Sequence, residues 1–154
     1  MEDRLGRYSI IYNGEVYNFK ELRIELERLG HQFHSRTDSE VVLHAWVEWG
    51  EECVHKFNGM FAFAVWDRRE KVLILGRDRI GEKPLYYGWQ NNIFLFGSEL
   101  KSFKQHPAFR AVINRDAITL LLRHNYIPSP YSIYQGISKL DPGHLLMVSK
   151  VNPE

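Results

Sequence analysis

"MFAFAVWDRREKVLILGRD" (Met60–Asp78) holds two apolar runs on either side of the polar "RRE" at 68–70. Alternation at period two on both sides of a short polar break is the pattern of an antiparallel β-hairpin. "PLYYGW" (84–89) and "NIFLFGS" (92–98) repeat it around "QNN" at 90–92, giving a second hairpin. Upstream, "RYSIIY" (Arg7–Tyr12) reads as a strand that stops at Asn13-Gly14-Glu15, a turn in which Asn-Gly tolerates positive φ. Phe19, Leu22, Leu26 and Leu29 then share one helical face, with Asn18 and Glu21 at capping-box spacing and Gly30 at the C-terminal end. "HQFHSR" (31–36) is expected to be a short strand, and "TDSEVVLHAWVEWG" (37–50) a second helix opening on capping residues. Short helical pieces follow at 51–57 and 99–105, and a longer helix at 114–126 starts at Asn114 or Arg115. After Tyr126 three prolines and no long helical period indicate extended chain ending in a strand. Early amphipathic helices need a sheet face to cover, so the pattern predicts a layered α+β protein with mostly antiparallel sheets.

The composition narrows what such a fold could do. A net charge of +1 gives no electrostatic argument for nucleic acid or an anionic membrane. The longest apolar stretches are strand-length, too short to span a bilayer, and "EDRLGR" after Met1 has no apolar leader core. A single cysteine excludes an internal disulfide framework and fits a reducing compartment, so the cytoplasm is the default location.

Most familiar chemical constellations are missing. There is no Gly-rich phosphate loop with a following Lys-Ser/Thr, no G-x-G-x-x-G after a strand, and no metal spacing among the seven histidines. His31 and His34, three apart in the expected strand, point to opposite faces and read as surface residues. Cys53 and His55, two apart on a helix, do not face each other. Asp78, between Arg77 and Arg79 at a strand end, reads as a structural ion pair, with Gly81–Pro84 turning into the next hairpin. Two acidic residues near helix starts remain, Glu15 and Asp38. Asp38 could cap its own helix through backbone N–H groups, or it could face a pocket with Glu15 and accept bonds from a substrate ammonium.

Six stretches in order, "IIYNGEVYNFKELRIEL", "TDSEVVLHAWVEWGEE", "NGMFAFAVWD", "LGRDRIGEKPLYYG", "FGSELKSF" and "YIPSPYSIYQGISKLDPGHLL", resemble the N-terminal glutamine amidotransferase domain of glutamine-hydrolysing asparagine synthetases. The resemblance runs from about Arg7 to Val148. It implies the αββα fold of the N-terminal-nucleophile class, with residues 1–125 as a partial glutaminase domain and 126–154 as its end and the passage toward a synthetase domain. By resemblance, Asn13 supplies an oxyanion-hole amide and Gly14 a backbone N–H donor, while Asn13, Glu15 and Asp38 line the glutamine pocket, Asp38 against the α-ammonium. Asn13, Glu15 and Asp38 are therefore expected to converge on one concavity.

In the family a leading cysteine attacks the glutamine carboxamide, and the ammonia released amidates aspartate after activation by ATP. Here the chain begins "MEDRLGR" where the family has Cys-Gly-Ile after the initiator, so the nucleophile, first strands and carboxylate-binding arginine are expected to be missing. No Ser-Gly-Gly-type loop follows, which places ATP and magnesium in a synthetase domain beyond this chain. Glutamine and that domain are the implied partners, with a homodimer open to the full-length protein. Two alternatives stay open: a degenerate scaffold that binds without catalysis, and an amidotransferase acting on another acceptor such as a glycan carboxylate.

Overall fold

A computed structural model describes residues 1–149; the last residues of the expected passage, 150–154, lie outside the described residues. In chain order the elements are β1 (Tyr8–Val16), α1 (Phe19–Arg28), α2 (Asp38–Trp49), a 3-10 turn (Gly50–Glu52), α3 (Cys53–Lys56), β2 (Gly59–Asp67), β3 (Val72–Arg77), β4 (Tyr86–Gln90), β5 (Ile93–Gly97), α4 (Leu100–Phe103), α5 (Arg115–His124), β6 (Ser138–Lys139) and β7 (Leu145–Ser149). One sheet is ordered β1-β2-β3-β7 and the other β5-β4-β6, with every pairing antiparallel. Among the described residues no helix is long and apolar enough to cross a membrane.

Alternation along β2 builds the layers. Phe61, Phe63 and Val65 face a core shared with Leu22 and Leu26 of α1 and Val41, Val42 and Trp46 of α2. Ala62 and Ala64, on the opposite side, meet Leu75, Leu85 and Leu140 between the two sheets. Large residues toward the helices and small ones toward the second sheet let the sheets stack closely. Phe103 of α4 packs with Tyr134 and Ile137 on the far face of the second sheet, giving the order helix, sheet, sheet, helix.

Three local expectations change. The strand does not stop at Tyr12: β1 runs through Asn13-Gly14-Glu15, which pair with Ala62, Phe61 and Met60. Gly14 is extended there, and close approach explains it, because a Cβ would lie 2.3 Å from the Met60 carbonyl oxygen. The segment 31–36 forms no strand, since Glu40 takes its backbone N–H groups at His34 and Ser35, at 2.8 and 2.7 Å. The capping box at Asn18 does not form either. Its side chain instead clamps the end of α3, donating to Lys56 O and accepting from Asn58 N–H.

Asp78 is buried, but not as an ion pair. Its carboxylate accepts from the backbone N–H groups of Ile80, Glu82, Lys83 and Phe61 at 3.0–3.3 Å. Arg77 completes the clamp from the other side, donating to the carbonyls of Gly81, Lys83 and Leu140 at 2.6–2.7 Å. Burial pushes the Asp78 carboxyl up, and the N–H groups of Lys83, Glu82, Phe61 and Gly81 outweigh it and hold the group below its ordinary value. A depressed folded value means that the stabilisation is present above the unfolded value near pH ~4 and is lost as pH falls through the folded one. Asp78→Asn is therefore expected to lose about 1–3 kcal/mol at pH 7 and to flatten the acid limb of stability, checked by urea denaturation from pH 7 to pH 3.

Candidate functional site

The far end of β1 carries Asn13, Gly14 and Glu15, and Asp38 opens α2 beside it. Antiparallel pairing turns successive N–H groups to alternate sides. The N–H of Ile10 goes to Met1 O at 2.8 Å and that of Val16 to Asp38 Oδ2 at 3.2 Å, both away from β2. Period two sends the N–H of Gly14 to the same free edge, one pleat from the Asp38 carboxylate, or about 7 Å along the strand.

Asp38 does not cap its own helix. Thr37 does that, its hydroxyl accepting from Glu40 N–H at 3.4 Å. Both described bonds to Asp38 fall on Oδ2, from Val16 N–H and from the Tyr12 hydroxyl at 2.9 Å. Burial, then the bond to Asp38, raises the Tyr12 phenol far above its ordinary value, so it remains a protonated donor at neutral pH.

The site residues divide between two concavities. Glu15 and Asp38 line one of about 420 Å³ with Val16, Tyr17, Arg36 and Thr37. Asn13 lines a smaller one of about 200 Å³ between the sheets, beside Ile11, Ala62, Phe96 and Ser98. The single shared concavity expected from sequence is therefore two, because Asn13 projects between the sheets while the Asp38 carboxylate sits on the strand edge. Asn13 Nδ2 donates to Ser98 Oγ at 3.2 Å, at the end of the second hairpin. Tyr12 and Ser98 were missed in sequence, since their contacts span 26 and 85 positions and no local pattern marks them.

A third cavity, about 520 Å³, lies by the α1–α2 loop. There His31 Nδ1 meets His44 Nδ1 and His31 Nε2 meets Glu48 Oε2, each at 2.8 Å, so His31 is tied to α2 and is not a free surface residue. Burial lowers the His44 value, favouring a neutral ring. Among the described residues no group of three or more His, Cys, Asp or Glu side chains is placed to hold a metal ion.

A family profile described as a glutamine amidotransferase domain matches residues 1–153, and the chain belongs to that family. It is 44% identical over 144 residues to asparagine synthetase [glutamine-hydrolyzing] 3 of Bacillus subtilis, covering 93% of this chain and 24% of the relative. It is 42% identical over 144 residues to a putative asparagine synthetase [glutamine-hydrolyzing] 2 of Methanocaldococcus jannaschii, covering 91% and 27%. The chain thus spans about a quarter of the length of these curated relatives. Among solved structures, the fold is shared with the glutamine phosphoribosylpyrophosphate amidotransferase of B. subtilis, at TM-score 0.67 and 17% identity over 98% of this chain and 29% of that one.

The chain's one cysteine lines neither of the concavities that hold Asn13, Glu15 and Asp38. Cys53 opens α3 and is buried in the core with Phe57 and Trp46, and burial pushes its thiol up to about 12. Thiolate is the reactive form, so the native protein is expected to resist a disulfide reagent at pH 8 while the urea-unfolded chain reacts at once. Stoichiometric labelling of the folded protein within minutes would contradict that burial.

Proposed function

We propose that the chain is the glutamine-binding part of a glutamine-dependent asparagine synthetase. On this reading the parent enzyme hydrolyses glutamine to glutamate and ammonia and uses the ammonia to amidate aspartate at the expense of ATP. The observation that carries it is the free edge of β1, where the Asp38 carboxylate stands one pleat from the Gly14 N–H. An acceptor for an ammonium and a donor for a developing oxyanion stand at the separation an extended amino acid amide needs. The names of the relatives support the amidation of aspartate in particular.

Asp38 Oδ1 and Glu15 accept from the substrate's α-ammonium, and the side-chain carboxamide runs along the strand edge toward Gly14. A cysteine thiolate from outside this chain attacks the carboxamide carbon, and the carbonyl oxygen takes the negative charge. The N–H of Gly14 and the Asn13 amide stabilise that oxygen. Asn13 has two N–H groups, so one can stay on Ser98 while the other turns to the oxyanion. The C–N bond then breaks as the departing nitrogen takes up the proton first removed from the thiol, ammonia leaves, and water hydrolyses the thioester to glutamate and the free thiol. ATP and magnesium act in the synthetase region of the parent, and no residue here is assigned to them. The parent is placed in the cytoplasm, and a homodimer suits the same reading.

In the full-length parent, Asn13→Ala is expected to lower glutaminase kcat about 10²–10³-fold with little change in KM, whereas Asp38→Asn raises KM. The isolated chain should release no ammonia from glutamine above background. Release that disappears on Cys53→Ala would overturn the assignment.

A further inference from the structure

We infer that Tyr12 is a positioning residue of the glutamine site: its hydroxyl holds one oxygen of Asp38 so that the other meets the substrate's α-ammonium. The inference rests on the role given to Asp38 above, and goes beyond it by naming what orients that carboxylate.

Asp38 is the first residue of α2, where the unpaired N–H groups of the first turn attract a carboxylate. Left to itself the side chain would fold back onto them, the capping role its position in the sequence favours. Two features prevent this. The Thr37 hydroxyl already occupies the Glu40 N–H at 3.4 Å. Across the gap, β1 presents the Tyr12 hydroxyl and the Val16 N–H to the same oxygen, at 2.9 and 3.2 Å. The two donors lie four residues apart on a strand paired along its whole length with β2, so their spacing is set by the sheet. Together they fix the plane of the carboxylate and commit Oδ2, leaving Oδ1 for the concavity that also holds Glu15 and Arg36.

Tyr12 can do this because of where alternation puts it. Even-numbered residues of β1 face the helices, where Ile10 and Val16 are buried and Tyr12 packs against the same core. The ring is held by packing and its hydroxyl reaches out at the margin of the core to α2. A phenylalanine would keep the packing and lose the bond. The Asp38 carboxylate would then be held by Val16 alone, free to turn about its own bond, and its capture of an ammonium would weaken.

A purely structural staple between β1 and α2 predicts a change in stability alone, so the test reads discrimination. Binding of L-glutamine and of 4-carbamoylbutanoate, which is glutamine without its amino group, is measured by NMR titration on the unchanged chain and on Tyr12→Phe and Asp38→Asn, with thermal unfolding recorded for each. The unchanged chain should prefer glutamine. Tyr12→Phe should reduce that preference about three- to tenfold through weaker glutamine binding, with the analogue unaffected, and Asp38→Asn should abolish it. If Asp38→Asn abolishes the preference while a folded Tyr12→Phe keeps it in full, the positioning role is overturned and the ammonium site stands. If Asp38→Asn leaves the preference intact, or the unchanged chain shows none, both fall. Should Tyr12→Phe unfold, Tyr12→Leu, which stays apolar and has no donor, replaces it, and full preference for glutamine in a folded Tyr12→Leu overturns the inference.

Discussion

The narrow pairing of Gly14 with Phe61 is the constraint on which the rest of the site depends. They form a pair whose own N–H and C=O groups point away from each other, so their backbones lie closest, and a Cβ at 14 would stand 2.6 Å from the Phe61 Cα. Gly59, opposite Val16, has the same role, since its Cβ would stand 2.1 Å from the Glu15 carbonyl oxygen. Glycine on alternate strands lets β1 lie flat against β2 to its end, which carries Asn13, Gly14 and Glu15 in one extended ribbon. The other side of Phe61 is equally fixed: its carbonyl accepts from Asp78 N–H at 2.8 Å and its N–H donates to the Asp78 carboxylate at 3.3 Å. A chain of contacts thus runs from the buried Asp78 turn through β2 to the free edge of β1.

Carboxylates are used in two ways in this fold. Asp78, Glu40 and Asp67 are buried and accept backbone N–H groups, and each is held below its ordinary value despite the cost of burial. Asp78 and Glu40 are held chiefly by those bonds, Asp67 first by the Arg7 guanidinium on its Oδ2 and then by the N–H groups of Glu70 and Arg69. Such groups organise loops: Glu40 holds 34–35, Asp67 holds the hairpin turn at 69–70, and Asp78 holds 80–83. Asp38 differs because its described bonds share one oxygen. A half-committed carboxylate beside a cavity has a fixed direction and a remaining acceptor, which is what recognition of a cation requires.

Period two in Met60–Asp78 and in 84–98 made both hairpins legible in the sequence, because alternation survives in any sheet with two unlike faces. Apolar spacing made α1 equally clear, and capping residues marked α2 and the start of α5. Asn13-Gly14 was misread as a turn because local propensity makes that dipeptide a turn, whereas here the glycine answers a contact with residues nearly fifty positions away. The stretch at 31–36 looked like a strand by composition but lost its N–H groups to Glu40, a competition that no pattern within those six residues displays. Glu15 and Asp38 stand out in the sequence as carboxylates near helix starts, while the oxyanion roles of Asn13 and Gly14 come from resemblance alone. Their distribution between a strand edge and two concavities, like the contacts of Tyr12 and Ser98, is set by long-range packing that no local pattern displays.

The most direct test of the account is a crystal structure of the chain grown with L-glutamine. The account predicts one molecule along the free edge of β1, its α-ammonium on Asp38 Oδ1 and its side-chain carbonyl oxygen turned to the Gly14 N–H. Glutamine bound instead in the cavity beside His31 and His44, with the edge of β1 bare, would contradict it.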